Sequence, residues 1–175
     1  LRRDATGYLQ FEDLTPRFRP AVGDGDFAEI WDILIAPEGV YFRALTELFL
    51  WNPSTKVAMH WSHAGRFGRM ILHGGKTTVQ FRTEGLKQWD GKTWVLMPES
   101  RPFGGLMQLL QPLKDGSALS VDENGGWWRI GADGNVKPQK KPAGLPKDAV
   151  INAGVLLANG EVAIGSSAGD VFFFF

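Results

Sequence analysis

Several short clusters in this sequence carry residue types that do chemistry. Gly165-Ser166-Ser167-Ala168-Gly169 has the G-x-S-x-G spacing of a nucleophile elbow, where a strained strand-to-helix turn lifts a serine hydroxyl toward a substrate carbonyl. That fold places its base histidine after the serine, yet no histidine follows His73, and Asp170-Val171-Phe172 continues as a strand pattern. Gly75-Lys76-Thr77 and Gly91-Lys92-Thr93 resemble the tail of a phosphate-binding loop. Met70 and Leu86 stand where its first glycine belongs, and no helix pattern follows to offer its N-terminus. Both read as hairpin turns. His60 and His63 are metal-ligand types, but three positions apart on an extended segment sends them to opposite faces, without a third ligand nearby. Asp24-Gly25-Asp26 has the alternation of a calcium loop and lacks its downstream acidic ligands, which leaves a solvated turn. Asp90-Gly91-Lys92-Thr93-Trp94 comes within one residue of the Asp box of sialidase blades, where the aspartate is structural. No catalytic set, metal site or cofactor site is therefore read from these clusters.

The elements around them are more informative. Lys+Arg 19 against Asp+Glu 19 gives a formal net charge of zero, so the chain lacks the electrostatic footprint of a nucleic-acid or anionic-membrane binder. Without Cys it is neither a disulfide scaffold nor a thiol enzyme. No apolar run is long enough to span a bilayer, and Leu1-Arg2-Arg3-Asp4 does not open a signal peptide. Seven Trp and twelve Phe exclude a disordered tail, while 22 Gly and 10 Pro favour many strands joined by tight turns over long helices.

Those strands repeat. Glu47-Leu48-Phe49-Leu50-Trp51-Asn52 aligns with Gly85-Leu86-Lys87-Gln88-Trp89-Asp90, then with Gly126-Trp127-Trp128-Arg129-Ile130-Gly131 and Gly169-Asp170-Val171-Phe172-Phe173; upstream, Gly7-Tyr8-Leu9-Gln10-Phe11-Glu12 falls in the same phase. Turns at Pro37-Glu38-Gly39, Gly74-Gly75, Asp115-Gly116 and Asn159-Gly160 keep step with them, each between two apolar runs. A further strand is expected at Val57 to Trp61, Thr93 to Met97 and Asn135 to Gln139. Four strands in roughly 40 residues is the spacing of propeller blades. The expected fold is all-β: a β-propeller of about four blades of four antiparallel strands, with trailing strands in 1–22, blades near 28–62, 66–98 and 105–140, and a partial blade in 149–175. The absence of an initial Met and the terminal run Val171-Phe172-Phe173-Phe174-Phe175 lead to the expectation of an arc cut from a larger ring. Trp51, Trp89, Trp94, Trp127 and Trp128 recur in register and are assigned to packing between blades.

Ile30-Trp31-Asp32-Ile33-Leu34, Pro37-Glu38-Gly39-Val40-Tyr41-Phe42 and Gly85-Leu86-Lys87-Gln88-Trp89-Asp90-Gly91-Lys92-Thr93-Trp94 resemble the two-component regulator propeller repeats. The resemblance spans essentially the whole chain, although the later repeats depart from the pattern: Gly126-Trp127-Trp128-Arg129-Ile130-Gly131 lacks the Asp, and the second blade has Phe81 in place of an early-strand Trp or Tyr. It implies a non-enzymatic, extracytoplasmic or periplasmic ligand-sensing module of a bacterial receptor. Kinase, cyclase or DNA-binding output domains would lie elsewhere in a longer chain, and the ligand would be a small molecule or glycan. A propeller enzyme such as a polysaccharide or lactone-type lyase and a protein-interaction scaffold are the alternatives.

On a propeller, the inter-blade links and the loops joining second to third strands share one face and are free to vary. The repeat places Asp26, Glu29, Arg43, His63, Arg66, Arg82, Arg101, Asp122 and Glu123 there. Arg43 and Arg82 each follow a phenylalanine at the end of a strand and read as equivalent. Their guanidinium groups would fork onto a carboxylate, a sulfate or a hydroxyl pair, or else form surface ion pairs with Glu47, Glu84 or Asp122. Trp61, between the two histidines, reads as free to stack on a sugar ring.

Overall fold

A computed structural model describes residues 2–22, 29–100, 103 and 105–174. Its body is a run of antiparallel meanders, each strand paired with the next. The first comprises β3 (Asp32–Ala36), β4 (Gly39–Arg43), β5 (Glu47–Asn52) and β6 (Val57–Ser62), preceded in the chain by β1 (Arg2–Arg3), β2 (Leu9–Gln10) and α1 (Thr15–Val22). The second comprises β7 (Phe67–His73), β8 (Lys76–Phe81), β9 (Gly85–Trp89) and β10 (Trp94–Leu96), followed by a 3-10 turn at Pro98–Ser100. The third comprises β11 (Met107–Pro112), β12 (Ala118–Asp122), β13 (Trp127–Ile130) and β14 (Val136–Gln139). The last sheet has three strands, β15 (Ile151–Leu156), β16 (Val162–Ser166) and β17 (Val171–Phe174).

Turn chemistry accounts for the tight corners. Gly74 and Gly75 both hold positive φ, +58° and +74°, the twist that joins β7 to β8 over two residues and that side chains resist. The Gly-Lys-Thr cluster here is a hairpin corner. The G-x-S-x-G cluster is likewise the turn from β16 to β17, with Ser166 Oγ beside Asp170 and no helix following.

Each meander opens with the strand nearest the axis: β3 packs beside β7, β7 beside β11 and β11 beside β15. The sheets therefore fan radially as blades, and their facing sides bury the core. Between the first two blades lie Tyr41, Leu48 and Leu50 against Phe67, Met70, Val79 and Phe81. Between the second and third lie Ile71, Leu86 and Met97 against Met107, Leu110, Ala118 and Ile130. Leu109, Val121 and Trp127 meet Ile151, Val162 and Ile164 at the next junction. The outer faces at the two ends of the arc are only partly covered. Ile35 is 76% exposed on the first blade and Val171 64% exposed on the last sheet.

The amino-terminal segment differs from expectation. Of the segment 1–22, read as trailing strands, residues 2–22 hold two paired strands of two residues each and, beyond expectation, an eight-residue helix. In the ribbon Asp4 accepts from Thr6 and Tyr8, and Phe11 just beyond it is 91% exposed. In α1, Asp13 accepts the Thr15 amide and Pro16 occupies the first turn, where its missing N–H costs nothing. Phe18 then seats edge-on against Phe49 and Phe42, so tertiary burial holds a helix that contains Pro20. Trp51 belongs beneath this helix and not between blades, with the Arg17 guanidinium over its ring.

Candidate functional site at the axial mouth

The ends of the inner strands are pinned by the blade before. Arg43 Nη1 donates to the Phe67 carbonyl at 3.2 Å. The fully buried Gln80 side chain donates through Nε2 to Gly105 O and accepts the Met107 amide at Oε1, both at 2.8 Å. The Ile151 amide donates to Glu123 O at 3.0 Å. Each anchor is an apolar residue in the core: Phe67, Met107 and Ile151.

Directly after each anchor the ladder skips. The register of β7 on β8 shifts between Phe67 and Met70, that of β11 on β12 between Met107 and Leu109, and that of β15 on β16 between Ile151 and Ala153. The residues left over are Gly68 with Arg69, then Gln108, then Asn152. A β-bulge turns its extra side chain away from the alternation of the strand. In the first blade the corresponding place is Trp31, whose amide donates to Arg43 O just ahead of β3. All four side chains line one axial cavity of about 280 Å³, together with Arg43, Leu45, Phe67 and Leu106.

The polar groups of this mouth are uncommitted. Among the described residues, the side chains of Arg69, Gln108 and Asn152 have no hydrogen-bond or ion-pair partner, and Trp31 is 58% exposed. Arg43 forms the inner wall at 7% exposure, 3.8 Å from Asp32 through Nε. Burial pulls its guanidinium below its ordinary value; Asp32 opposes this, and the charge of Arg69 adds to it. Asp32 thus balances one of two neighbouring cations, and the mouth keeps an excess positive charge.

The loop-face residues expected from the sequence are dispersed around this mouth. Arg43 and Arg82 are not equivalent: Arg43 lies within β4 and points into the blade junction, whereas Arg82 follows β8 and pairs with Glu123 at 3.1 Å. Glu123 also accepts the Leu106 amide. Asp122 is buried and accepts the amides of Asn124 and Gly126 and the Trp128 indole at 3.0 Å; it builds the turn after β12. His63 sits between the Phe67 and Phe81 rings with Nδ1 3.5 Å from Glu84. Arg66, at φ +72°, is exposed, and its carbonyl accepts the Arg82 amide. Glu29 is exposed, and Asp26 and Arg101 lie outside the described residues. Trp61 is not free to stack on a sugar. It packs with Tyr41, Trp89 and Trp94 at 5.1 to 6.3 Å between ring centres, because it shares the core-facing row of the first blade with Leu48 and Arg43. His60 faces the other way, stacked on Phe49 and bound to Glu47.

Larger clefts of about 450 and 460 Å³ lie at the opposite end, along Asp90, Asp115 and Asp133. These carboxylates are occupied in their own turns. Asp90 accepts from Thr93 and Lys92, Asp115 from Ser117 and Arg129, and Asp133 from Asn135. Those hydrogen bonds hold all three below the usual carboxylate value.

Fold and mouth together define the class: a β-propeller arc with a polar axial opening. No family model and no curated protein matches the sequence. Solved structures share the fold. The extracellular domain of a hybrid two-component system from B. thetaiotaomicron superposes with a TM-score of 0.64 at 16% identity, covering 97% of this chain and 22% of its own. A gluconolactonase-type protein gives 0.60 at 14% identity, covering 85% and 63%. A streptogramin B lyase gives 0.59 at 13%, covering 83% and 54%. This chain thus spans less than two thirds of each of these neighbours.

Proposed function

We propose that this chain is the ligand-binding part of a bacterial receptor propeller on the extracytoplasmic side, taking a small molecule or glycan at its axial mouth without transforming it. The observation that carries this reading is the convergence of bulge-borne side chains without partners on one cavity. Polar groups left unsatisfied by the fold are available to a ligand, and the pinned strands hold them ready. The histidines support binding over chemistry: His60 is bound to Glu47, His63 adjoins Glu84, His73 is buried, and none lines the mouth. The repeat resemblance and the coverage of this chain by a two-component extracellular domain favour a sensor. Output domains would then lie elsewhere in a longer chain.

The test is a panel of mono- and disaccharides followed by NMR, with each ligand recovered and weighed by mass spectrometry. The expected result is a perturbation of the Trp31 indole and the Gln108 and Asn152 amides by at least one sugar, which is recovered intact. A cleaved or isomerised sugar, or shifts confined to another face, would overturn the reading.

A further inference from the structure

The chemical class of the ligand can be read from the four mouth positions. We infer that the axial mouth takes an acidic saccharide, its carboxylate held by Arg69, its hydroxyls by Gln108 and Asn152, and a ring face by Trp31. This rests on the ligand-binding reading above and narrows it.

The groups are complementary to such a molecule. Arg69 presents a planar fork of donors without an acidic partner among the described residues, which matches a carboxylate in geometry and charge. Arg43 lies behind it, with its one salt bridge directed to Asp32 and one donor to Phe67 O. An arriving anion therefore meets excess positive charge in a partly enclosed place, where attraction is screened less than at an open surface. Gln108 and Asn152 each offer a donor pair and an acceptor, the set needed by hydroxyls that both give and receive hydrogen bonds. Trp31 is the exposed indole of the mouth, and an indole face packs against the C–H face of a sugar ring. A bare inorganic anion would leave both amides and the indole unused. A neutral sugar would leave Arg69 unpaired. The cavity, about 280 Å³, is near the lower bound of small-molecule sites and suits one or two rings.

Isothermal titration with digalacturonate, its neutral dimethyl ester and inorganic sulfate separates these contributions. The intact chain should bind the acid at least about tenfold more tightly than the ester, the discrimination expected of one charge-assisted pair. Arg69→Gln should reduce the acid to the affinity of the ester and leave the ester unchanged. Its melting temperature should not fall, since Arg69 makes no hydrogen bond or ion pair in the fold and its charge opposes that of Arg43. Arg129→Gln, at the far end beside Asp115, should preserve the full preference. Equal binding of acid and ester, or a preference that survives Arg69→Gln, would overturn the acidic assignment while leaving a ligand-binding mouth intact. Sulfate binding as tight as digalacturonate would overturn the saccharide assignment. If neither disaccharide binds, this inference falls, and the broader reading is judged by the sugar panel alone.

Discussion

The two ends of the propeller arc use polar residues in opposite ways. At the end formed by the first-to-second and third-to-fourth strand turns, Asn52, Asp90, Asp115 and Asp133 each fold back through one oxygen on the amides that follow them. At the axial mouth, Arg69, Gln108 and Asn152 stand on bulges and have no such duty. The larger clefts belong to the first end, where Lys76, Glu99 and Gln139 also make no side-chain hydrogen bond or salt bridge among the described residues; the partnerless side chains carried on bulges belong to the second. Cleft size points to the first end, and the bulge-borne side chains point to the second.

This contrast can be broken most severely at Gly68. A Cβ there would lie 2.0 Å from Gln80 Oε1 and would force apart the clamp that holds Gly105 and Met107. Gly68→Ala should lower stability by about 3 kcal/mol, as buried groups lose their partners, and should weaken ligand binding as the neighbouring bulges shift. Urea denaturation monitored by fluorescence measures the first effect. Trp61→Ala, which empties part of the aromatic junction of the first two blades, should cost about 2 to 3 kcal/mol in the same assay and leave the mouth in place.

The mouth residues sharpen the contrast from the other side. Gln108→Ala and Asn152→Ala should each change stability by less than about 0.5 kcal/mol, the range of uninvolved surface positions, and still weaken sugar binding about fivefold. A stability loss comparable with that of Gly68→Ala would mean that these amides serve the fold. The smallest effect belongs to the turn carboxylates. Their folded values lie below 3.8, so the stability they lend is complete above that pH and is lost as pH falls beneath it through the depressed values. Asp90→Ala should therefore melt slightly lower than the parent at pH 7, and the gap should shrink as pH falls below 3.8. A gap that is constant with pH would remove the carboxylate from the explanation.

Much of the blade architecture was legible because turns and apolar runs recur in phase, and phase survives sequence drift. Side-chain direction was less so. Arg43 pairs with Leu48, and the repeat counterpart Leu86 pairs with Gln80, so Gln80 fills the slot of Arg43 in the second blade and Arg82 falls beyond the end of β8. The period of two along a strand put Trp61 into a core row even though its neighbours are polar. The helix of residues 15–22 was hidden by Pro16 and Pro20 and exists through the burial of Phe18. The mouth was missed because a bulge is a mismatch between two strands, invisible in either strand alone. One signal was present: Trp31, Arg69, Gln108 and Asn152 fall near the start of the first strand of successive repeats, 38, 39 and 44 residues apart.

A bulge places the residue proposed to meet the ligand next to the residue that anchors the strand, yet frees it from the packing rules of either face. Exchange of a mouth letter therefore leaves the scaffold untouched. On the proposed ligand-binding reading, recognition would be carried by one or two residues per blade, and propellers with similar cores would be free to differ in what they bind.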